Sequence, residues 1–483
     1  MTRTPLDITG GFDQSVSQPL VNKRLINMYP VLPSEGAFSQ QALIGTPGVR
    51  QFSDPALAGH ARGAALVNGV PYYVIGDALI TVAADGTATA VPATAQISGV
   101  DDVSIAWNED WIFIVPPDGT AIYSFFFDVG TLKEFRSFDT LGLGPVRSVT
   151  YKAPYFVFTT DSIFFIKRPA EAILDPLDIA SADITPTSPV MAHANHNQLY
   201  VIQTGGTEVY QAIQTSDFPF VSVPGAFIQL GGAARAVKDF DDGFIMIGSE
   251  EGQLPAVWKI RGSSKVKLST PGIEQIIHSY TPTEISKAVI DSYAQDGALF
   301  AVITIGNNTL VYDAVASARR GIHTWHERQT GITDGATYKR WRAQHILRAF
   351  GRILVGSSVN SIIGSLDPDY FFDLGDRIER VRQSQPFDVE GVPIFSFEQE
   401  LFIQSGVGND DSTDPAWLFK YSDDLGRTWS NRIPRAMGKV GEYTKRLIWR
   451  RMGRIPYARV THFKTDDPVR IAIYKLEAEA EAV

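Results

Sequence analysis

Histidines close to a carboxylate are the first candidates for metal chemistry in this sequence. His323, His326 and Glu327 offer two imidazoles and a carboxylate, which zinc accepts as ligands in proteins. The spacing of the two histidines suits one face of a helix, whereas the surrounding residues predict strand and turn, and no further ligand follows. His193 and His196 have the same limitation. We therefore expect neither pair to bind a metal.

A run of carboxylates raises the possibility of calcium binding. Asp239, Asp241 and Asp242 have the spacing of a calcium loop, and Glu250 stands where a bidentate ligand would follow. However, Gly243 comes one residue too early and the segment lies between two predicted strands, so we expect a hairpin turn. The sequence also lacks a phosphate-binding glycine loop, a nucleophile elbow and a His-Glu-x-x-His motif. We expect no catalytic residue, no cofactor and no metal.

A further pattern predicts a self-capped turn. Ser422, Asp424, Gly426, Thr428 and Trp429 follow the spacing Ser-x-Asp-x-Gly-x-Thr-Trp, which resembles the Asp box of sialidase propellers. In such a turn the serine and the aspartate accept backbone N–H bonds, and the glycine takes a left-handed conformation. The families that carry the box use it as a structural turn. A sialidase would also need an arginine triad and a tyrosine nucleophile, which the sequence does not assemble, so we expect a structural hairpin.

The composition excludes several classes of protein. The chain has 483 residues, of which 44% are hydrophobic and 20% charged, as is typical of a globular protein. It contains no cysteine, so disulfides, thiolate metal sites and a cysteine nucleophile are excluded. No apolar run is long enough to span a bilayer and no signal-peptide pattern begins the sequence. We therefore expect no membrane insertion and folding in a cytoplasm.

The charge is distributed unevenly along the chain. The net charge is −10, which should repel nucleic acid, but residues 439–470 include nine basic and only three acidic residues. This window is therefore +6 and the remainder of the chain is −16. Five of its cations form a candidate subunit interface: Lys445, Arg446, Arg450, Arg451 and Arg454.

Three interpretations of these cations are open. In the first, they pair with acidic residues of a neighbouring subunit. In the second, they line the solvated rim of a strand whose Leu447 and Trp449 face the core. In the third, they contact DNA phosphates while Trp449 stacks on bases. We favour the subunit interface. Smaller basic clusters at 340–352 and 377–382 leave the same three interpretations open.

The elements that must position these residues are short strands. Runs rich in Val, Ile, Phe and Tyr are separated by Asn-Gly, Asp-Gly and Gly-Gly pairs, which suit tight hairpins. One apolar strand recurs about every 40 to 55 residues, and each copy is followed by a turn and a second apolar strand, as in propeller blades. The seven copies cover residues 71–76, 111–116, 154–159, 198–203, 243–248, 298–303 and 351–356.

We therefore predict an all-β fold, a β-propeller of about seven blades (six possible) followed by a small C-terminal β-sandwich. Stacked hairpins would bury a continuous core and close on themselves, whereas the alternative is one or two β-sandwiches whose hairpins are merely similar. The predicted organisation is an extended N-terminal arm (1–58), the propeller (59–366), the sandwich with the Asp-box-like hairpin (367–475) and a flexible tail (476–483).

Three blocks of residues resemble the packaged-DNA stabilisation proteins, the tail hub or nozzle proteins of short-tailed bacteriophages. The first consists of Leu-Ile-Asn-Met-Tyr-Pro at 25–30, Gly-Thr-Pro-Gly at 45–48 and Ala-Arg-Gly at 61–63. The second is the hairpin at 421–430. The third runs from Gly-Lys-Val-Gly-Glu-Tyr at 438–443 through Trp-Arg-Arg-Met-Gly at 449–453 to Asp-Pro-Val at 467–469.

This resemblance implies a structural protein of the virion tail and no enzyme. Members of the family assemble as six copies in a ring below the portal and its adaptor ring, retain packaged DNA, and hold a tail plug, needle or fibre protein. They also form part of the genome ejection channel, through which double-stranded DNA passes without specific binding. Assembly would take place in the cytoplasm of the host bacterium. The Asp box supports a different hypothesis, a tail-associated carbohydrate-binding or sialidase-like propeller.

Overall fold

The computed structural model of the chain is built almost entirely of strands. It describes residues 2–14, 22–32, 39, 41–135, 142–169, 175, 177–185, 187–213, 218–332, 339–388 and 393–482. Within these ranges the helices are three short ones, Pro271–His278, Pro282–Ser286 and Ala314–Arg320. None of the helices in the described part of the chain has the length and apolar character needed to cross a bilayer.

Six antiparallel four-stranded sheets form the first six blades of a propeller. From the innermost strand outward, they are Ala61–Val67, Val70–Ile75, Ala78–Val82 and Ala88–Ala90 (blade 1); Ser104–Trp107, Trp111–Val115, Tyr123–Phe126 and Thr131–Glu134 (blade 2); Val146–Lys152, Tyr155–Thr160, Phe164–Lys167 and Ile179–Ala180 (blade 3); Pro189–Asn195, Gln198–Gln203, Thr207–Ala212 and Phe220–Ser222 (blade 4); Gly231–Phe240, Gly243–Ser249, Ala256–Arg261 and Ser264–Lys267 (blade 5); and Val289–Gln295, Ala298–Ile305, Asn308–Asp313 and Trp325–Arg328 (blade 6).

The seventh blade combines two distant parts of the chain. Its inner three strands are Ala343–Ala349, Arg352–Ser357 and Ile363–Asp367, and its fourth strand is the N-terminal segment Gly48–Ser53. The short strands Phe372–Asp373 and Asp376–Arg377 extend this sheet. The innermost strands contact one another in sequence from blade 1 to blade 7, and that of blade 7 contacts that of blade 1. The propeller is therefore a closed ring of seven blades.

The apolar character of the repeated strands follows from burial on both faces. In blade 2, Ile112 and Ile114 pack into the core shared with blade 1, whereas Phe113 and Val115 pack into the core shared with blade 3. All four side chains are fully buried. Because alternate residues fill two different cores, the strand is apolar at every position. The predicted repeat is thus the second strand of each blade, and the predicted propeller is confirmed.

The C-terminal domain is a sandwich of two sheets. One sheet contains, in order, Met28–Val31, Ala42–Gly45, Ala472–Ala482, Ile394–Ile403 and Leu447–Ile455, with Thr2–Leu6 also paired to Ala472–Ala482. The other contains Asn22–Ile26, Arg380–Gln383, Val460–Thr465, Ala416–Ser422 and Ile433–Ala436, with Asp13–Gln14 paired to Asn22–Ile26. Trp417, Phe419, Trp449 and Phe463 form the centre of the core between them.

The structure differs from the predicted organisation at both ends of the chain. In place of an extended arm over 1–58, the described N-terminal residues supply strands to both domains, and Leu25 and Leu43 are fully buried in the sandwich core. In place of a flexible tail over 476–483, Leu476 is fully buried and the strand continues to Ala482. Residue 483 lies outside the described residues. Burial of these apolar side chains favours strand over coil.

The propeller and the sandwich are joined through a shared sheet. Asn22–Ile26 pairs with Arg380–Gln383 of the sandwich and, through Ile26 and Glu327, with the outer strand of blade 6. The next residue, Asn27, has a φ of 52° and its side-chain amide donates to the carbonyls of Gln329 and Glu379 at 3.0 and 2.8 Å. Residues 25–27 of the first block of the family resemblance therefore lie at the joint between the domains.

Candidate subunit interface

The Asp-box-like hairpin lies in the sandwich, between Ala416–Ser422 and Ile433–Ala436. The Ser422 hydroxyl donates to Oδ1 of Asp424 at 2.6 Å and accepts the N–H of Gly426 at 2.7 Å. The backbone N–H and the hydroxyl of Thr428 both donate to the Asp424 carboxylate. These donors hold the pKa of Asp424 well below its usual range. Both carboxylate oxygens of Asp424 are therefore engaged within the turn.

Trp429 and Arg459 fix the hairpin to the sheet. The Trp429 ring contacts His462 edge to face, and the Lys420 ammonium lies 4.4 Å from its centroid. The buried guanidinium of Arg459 donates to both carboxylate oxygens of Asp423 at 2.6 and 2.8 Å and to the Met452 carbonyl at 2.9 Å. Sequence reasoning placed Arg459 only in a basic window, because its partner lies on another strand.

The five candidate cations lie on the edge strand Leu447–Ile455 or in the two residues just before it. Leu447, Trp449 and Met452 point into the core, and the cations are exposed on the outer side. The backbone of Arg451 has a φ of 59°, and the pairing register with Ile394–Ile403 shifts at this point. Sheet edges in native proteins commonly carry charged residues and bulges, which hinder pairing with other chains. The geometry therefore fits an edge that is protected from strand pairing and whose cations remain accessible.

Three of the five candidate cations are already paired within the chain. Arg446 donates to both oxygens of Glu400 at 2.6 Å, Arg450 lies 3.4 Å from Glu398, and Lys445 lies 3.3 Å from Glu442. Hydrogen bonds from Arg446 lower the pKa of the buried Glu400 carboxyl. The Arg3 guanidinium of the N-terminal strand also pairs with Glu398 and Glu400.

Arg451 and Arg454 differ from the other three. Both are exposed, and neither makes an ion pair or a side-chain hydrogen bond with any residue that the structure describes. The structure thus places all five predicted interface residues on one edge, and of the five only Arg451 and Arg454 lack an acid among the described residues. Their role in an interface stays a prediction.

Other cations of the basic window are used inside the molecule. Lys464 is buried and lies 3.0 Å from Glu379, and Arg470 pairs with Asp369 of the propeller. In the smaller cluster at 377–382, Arg380 and Arg382 are buried, and burial lowers the pKa of each to about 10. The net charge of a stretch of sequence therefore overstates the number of cations that are available to a partner.

The candidate metal ligands are engaged in other contacts. His326 is fully buried beside Phe300, and burial lowers its pKa well below its usual value, while Glu327 pairs with Arg24. Nε2 of His193 contacts the Asp239 carboxylate at 3.0 Å, a link between blades 4 and 5.

In the calcium-like segment, the carboxylates pair with lysines of blade 5: Asp241 and Asp242 with Lys259, and Glu250 with Lys265. No group of three potential ligands able to hold a metal occurs among the described residues.

The central channel of the propeller encloses about 1470 Å³. Side chains from non-neighbouring blades meet in it, since Lys287 lies 3.0 Å from Asp101 and Arg235 donates to the Pro117 carbonyl at 3.2 Å. These two contacts bridge the channel between blades that are not neighbours in the ring. A DNA duplex, with a major groove about 8.5 Å deep, is more than about 17 Å across. The channel is therefore too narrow for double-stranded DNA.

The fold and this edge define a class of two-domain all-β proteins, in which a seven-bladed propeller shares a sheet with a charged-edge sandwich. Two family models match the chain, "Bacteriophage P22 Gp10, beta-propeller" over residues 2–371 and "Bacteriophage P22 Gp10, beta-sandwich" over residues 379–481. The chain belongs to the bacteriophage P22 Gp10 family.

A curated relative and two solved structures complete the comparison. The "Tail hub protein gp10" of Salmonella phage P22 is 25% identical over 289 residues, which are 58% of this chain and 56% of the relative. The match thus spans little more than half the length of that relative. PorZ of Porphyromonas gingivalis has a TM-score of 0.37 at 11% identity, covering 74% of this chain and 44% of PorZ. The Neurospora crassa Pan2 WD40 domain has a TM-score of 0.39 at 9% identity, covering 67% of this chain and 96% of that domain.

Proposed function

We propose that the protein is a structural subunit of a phage tail hub. In this proposal six copies form a ring below the portal and its adaptor ring, retain the packaged DNA and form part of the ejection channel. The ring also holds a tail plug, needle or fibre protein. The observation that carries the proposal is the match to both Gp10 family models, which together span nearly the whole chain. The protein would reside in the virion tail after assembly in the cytoplasm of the host bacterium.

The dimensions of the propeller determine where DNA would pass. A channel that side chains bridge from non-neighbouring blades excludes a duplex that is more than about 17 Å across. The route for DNA in the proposed hub is therefore the opening enclosed by the ring of subunits. In this arrangement each propeller acts as a rigid part of the wall.

The charge of the chain supports passage without specific binding. A net charge of −10 repels the phosphate backbone, and three of the five candidate cations already pair with acids of the same chain. A wall with few available cations would hold DNA weakly and allow it to slide. The carbohydrate-active alternative has less support, because both oxygens of the Asp-box carboxylate are engaged within their own turn.

The proposed function is tested with virions that lack this protein. We expect such particles to package DNA and then lose it, and DNA retention measured by nuclease protection would fall to near background. Purified protein added to the empty portal–adaptor complexes should appear in electron micrographs as six copies around an axis. Particles that keep their DNA without the protein would contradict the proposal.

A further inference from the structure

One end of the sandwich combines exposed cations with exposed aromatic rings. Arg451 and Arg454 lie on the edge strand, and Phe395, which is directly opposite Arg454 on the neighbouring strand, is 41% exposed. Tyr457, in the turn after the edge strand, is 59% exposed. Arginine and aromatic residues are enriched at the centres of protein interfaces. We name these four residues the arginine–aromatic patch.

The opposite end of the same sandwich has the complementary character. Asp410, Asp411 and Asp414 are exposed in one loop, and none of them pairs with a cation of the described chain. This loop follows residues 405–406, which bond to the adjacent loop: Ser405 donates to the Tyr443 carbonyl at 2.6 Å. In that adjacent loop the Tyr443 side chain is 70% exposed. We name the three aspartates and Tyr443 the acidic loop surface.

The two surfaces face in different directions along one sheet. Leu401 pairs with Leu447 at the end near the acidic loop surface, and Ile394 pairs with Ile455 at the end near the arginine–aromatic patch. Arg451 and Arg454 lie about 13 and 23 Å along the strand from Leu447, which is well beyond the length of an ion pair, so the two surfaces do not neutralise each other within one molecule. A cyclic ring needs such an arrangement, because each subunit contacts its two neighbours through two different surfaces.

We propose that the arginine–aromatic patch of one copy binds the acidic loop surface of the next copy in the ring. The inference rests on the proposed ring and adds which surfaces meet. The guanidinium groups of Arg451 and Arg454 would donate to carboxylates among Asp410, Asp411 and Asp414. Phe395 and Tyr457 would exclude water around these bonds, which strengthens charge-assisted contacts. The pairing explains why these two arginines, unlike the other three candidate cations, lack an acid among the described residues of their own chain.

The experiment reverses the charge of each surface in separate variants. The patch variant is Arg451→Glu with Arg454→Glu, and the loop variant is Asp410→Lys with Asp411→Lys and Asp414→Lys. All five positions are exposed, and thermal melts will confirm that the variants fold. A control, Arg348→Glu with Arg427→Glu, makes the same change of net charge as the patch variant at exposed positions elsewhere. Ring formation on portal–adaptor complexes is counted by mass photometry.

We expect each variant alone to lose ring formation by at least about tenfold, because like charges then meet at every contact. An equimolar mixture of the two variants should assemble again, since alternating subunits place opposite charges at each contact. A ring in which the two variants alternate can close only when its number of copies is even, and a ring of six copies meets this condition. The control should assemble like the unmodified protein.

Three results would overturn the inference. Normal rings from either variant alone would show that the patch is a solvated rim, while leaving the proposed ring intact. A mixture that stays unassembled would show that the two surfaces do not meet. A patch variant that assembles normally but binds a DNA duplex more weakly would assign the arginines to DNA. Failure of the unmodified protein to form rings on the same complexes would instead refute the proposed function.

Discussion

Arginine residues in this protein fall into three groups that burial and ion pairing separate. Buried ones such as Arg62 and Arg459 donate to backbone carbonyls or to a carboxylate and join segments far apart in sequence. Exposed Arg446 pairs with an acid of its own sheet. Arg454 is exposed without such an acid among the described residues. These groups share one residue type, so composition alone could not separate structural arginines from those available to a partner.

Replacement of Arg459 should destabilise the sandwich. Arg459→Met removes two bonds to Asp423 and one to the Met452 carbonyl, and it leaves that buried carbonyl without its donor. We expect the free energy of unfolding of the sandwich to fall by about 3 kcal/mol. Chemical denaturation followed by tryptophan fluorescence measures this loss. Arg427→Met, at the exposed tip of the same hairpin, should leave stability nearly unchanged, and equal losses would contradict the prediction.

The Asp-box-like turn should loosen in acid. The folded protein holds the pKa of Asp424 below its ordinary value, because the carboxylate accepts bonds from Ser422 and Thr428. The stabilisation is therefore present in full above the unfolded pKa of about 3.9 and is lost as the pH falls through the lower folded value. Amide exchange at Thr428 should accelerate over that range. In Asp424→Asn this acid-induced change should be absent, and its persistence would assign the effect to another group.

At the scale of elements, the sequence predicts best those strands that are buried on both faces. The second strand of each blade is mostly apolar and the third carries an apolar pair, and both recur in order, so the sequence indicates their number and pairing. The innermost strands are short of large apolar residues because one face lines the channel, as in Ala61–Val67. Most outer strands are partly exposed, whereas Trp325–Arg328 is buried. Neither the innermost nor the outer strands have a hydrophobic pattern that distinguishes them from loops.

The fourth strand of blade 7 could not be predicted, because its partner lies more than 300 residues away. Gly48–Ser53 pairs with Ile363–Asp367, and the pairing depends on three-dimensional closure that no local pattern reports. Prediction of the candidate interface was limited in the same way, because local sequence does not report which strands are neighbours. Its cations were identified from local composition, whereas Glu398 and Glu400, which neutralise two of them, are adjacent only through strand register.

Closure of the propeller should depend on Gly364. A Cβ atom at this position would overlap Cγ1 of the fully buried Val49 on the closing strand. Gly364→Val should therefore lower the free energy of unfolding by about 1 to 3 kcal/mol and expose Gly48–Ser53 to amide exchange. The control is Gln51→Val, which places the same side chain at the exposed position of the closing strand directly opposite Gly364. Similar effects of both variants would contradict this account.

The C-terminal strand should be needed for the sandwich to fold. Leu476 is fully buried in the core, so Leu476→Ala should reduce the free energy of unfolding by about 2 to 5 kcal/mol. Glu481→Ala, at an exposed position of the same strand, should change it by less than about 0.5 kcal/mol. Thermal melts of the two variants make the comparison. If Leu476→Ala were neutral, the strand would be a tail after all.

At the scale of the whole molecule, the two domains are not separable at their boundary in the sequence. Asn22–Ile26 belongs to the sandwich and also pairs with blade 6, and Gly48–Ser53 completes blade 7. The propeller and the sandwich therefore share one ten-stranded sheet.

A fragment of residues 379–483 should therefore fail to fold. It lacks the strands and the buried side chains of Leu25, Met28 and Leu43, which fill the sandwich core. We expect an NMR spectrum with little dispersion and no cooperative melt. Fusion of residues 1–47 to this fragment through a flexible linker should restore both properties. A well-dispersed spectrum from the unfused fragment would show that the N-terminal strands are dispensable.

The pairing of Thr2–Leu6 with Ala472–Ala482 has a consequence for how the protein is made. On the ribosome, Thr2–Leu6 emerges hundreds of residues before its partner strand. Gly48–Ser53 likewise emerges long before Ile363–Asp367, with which it pairs in blade 7. Blades 1 to 6 can form while translation continues, but this sheet of the sandwich can form only after Ala472–Ala482 has emerged. A product that stops before this strand would lack the partner of Ile394–Ile403. The surfaces proposed to join neighbouring copies would then not be held in place, so such chains would be excluded from assembly without any separate proofreading factor.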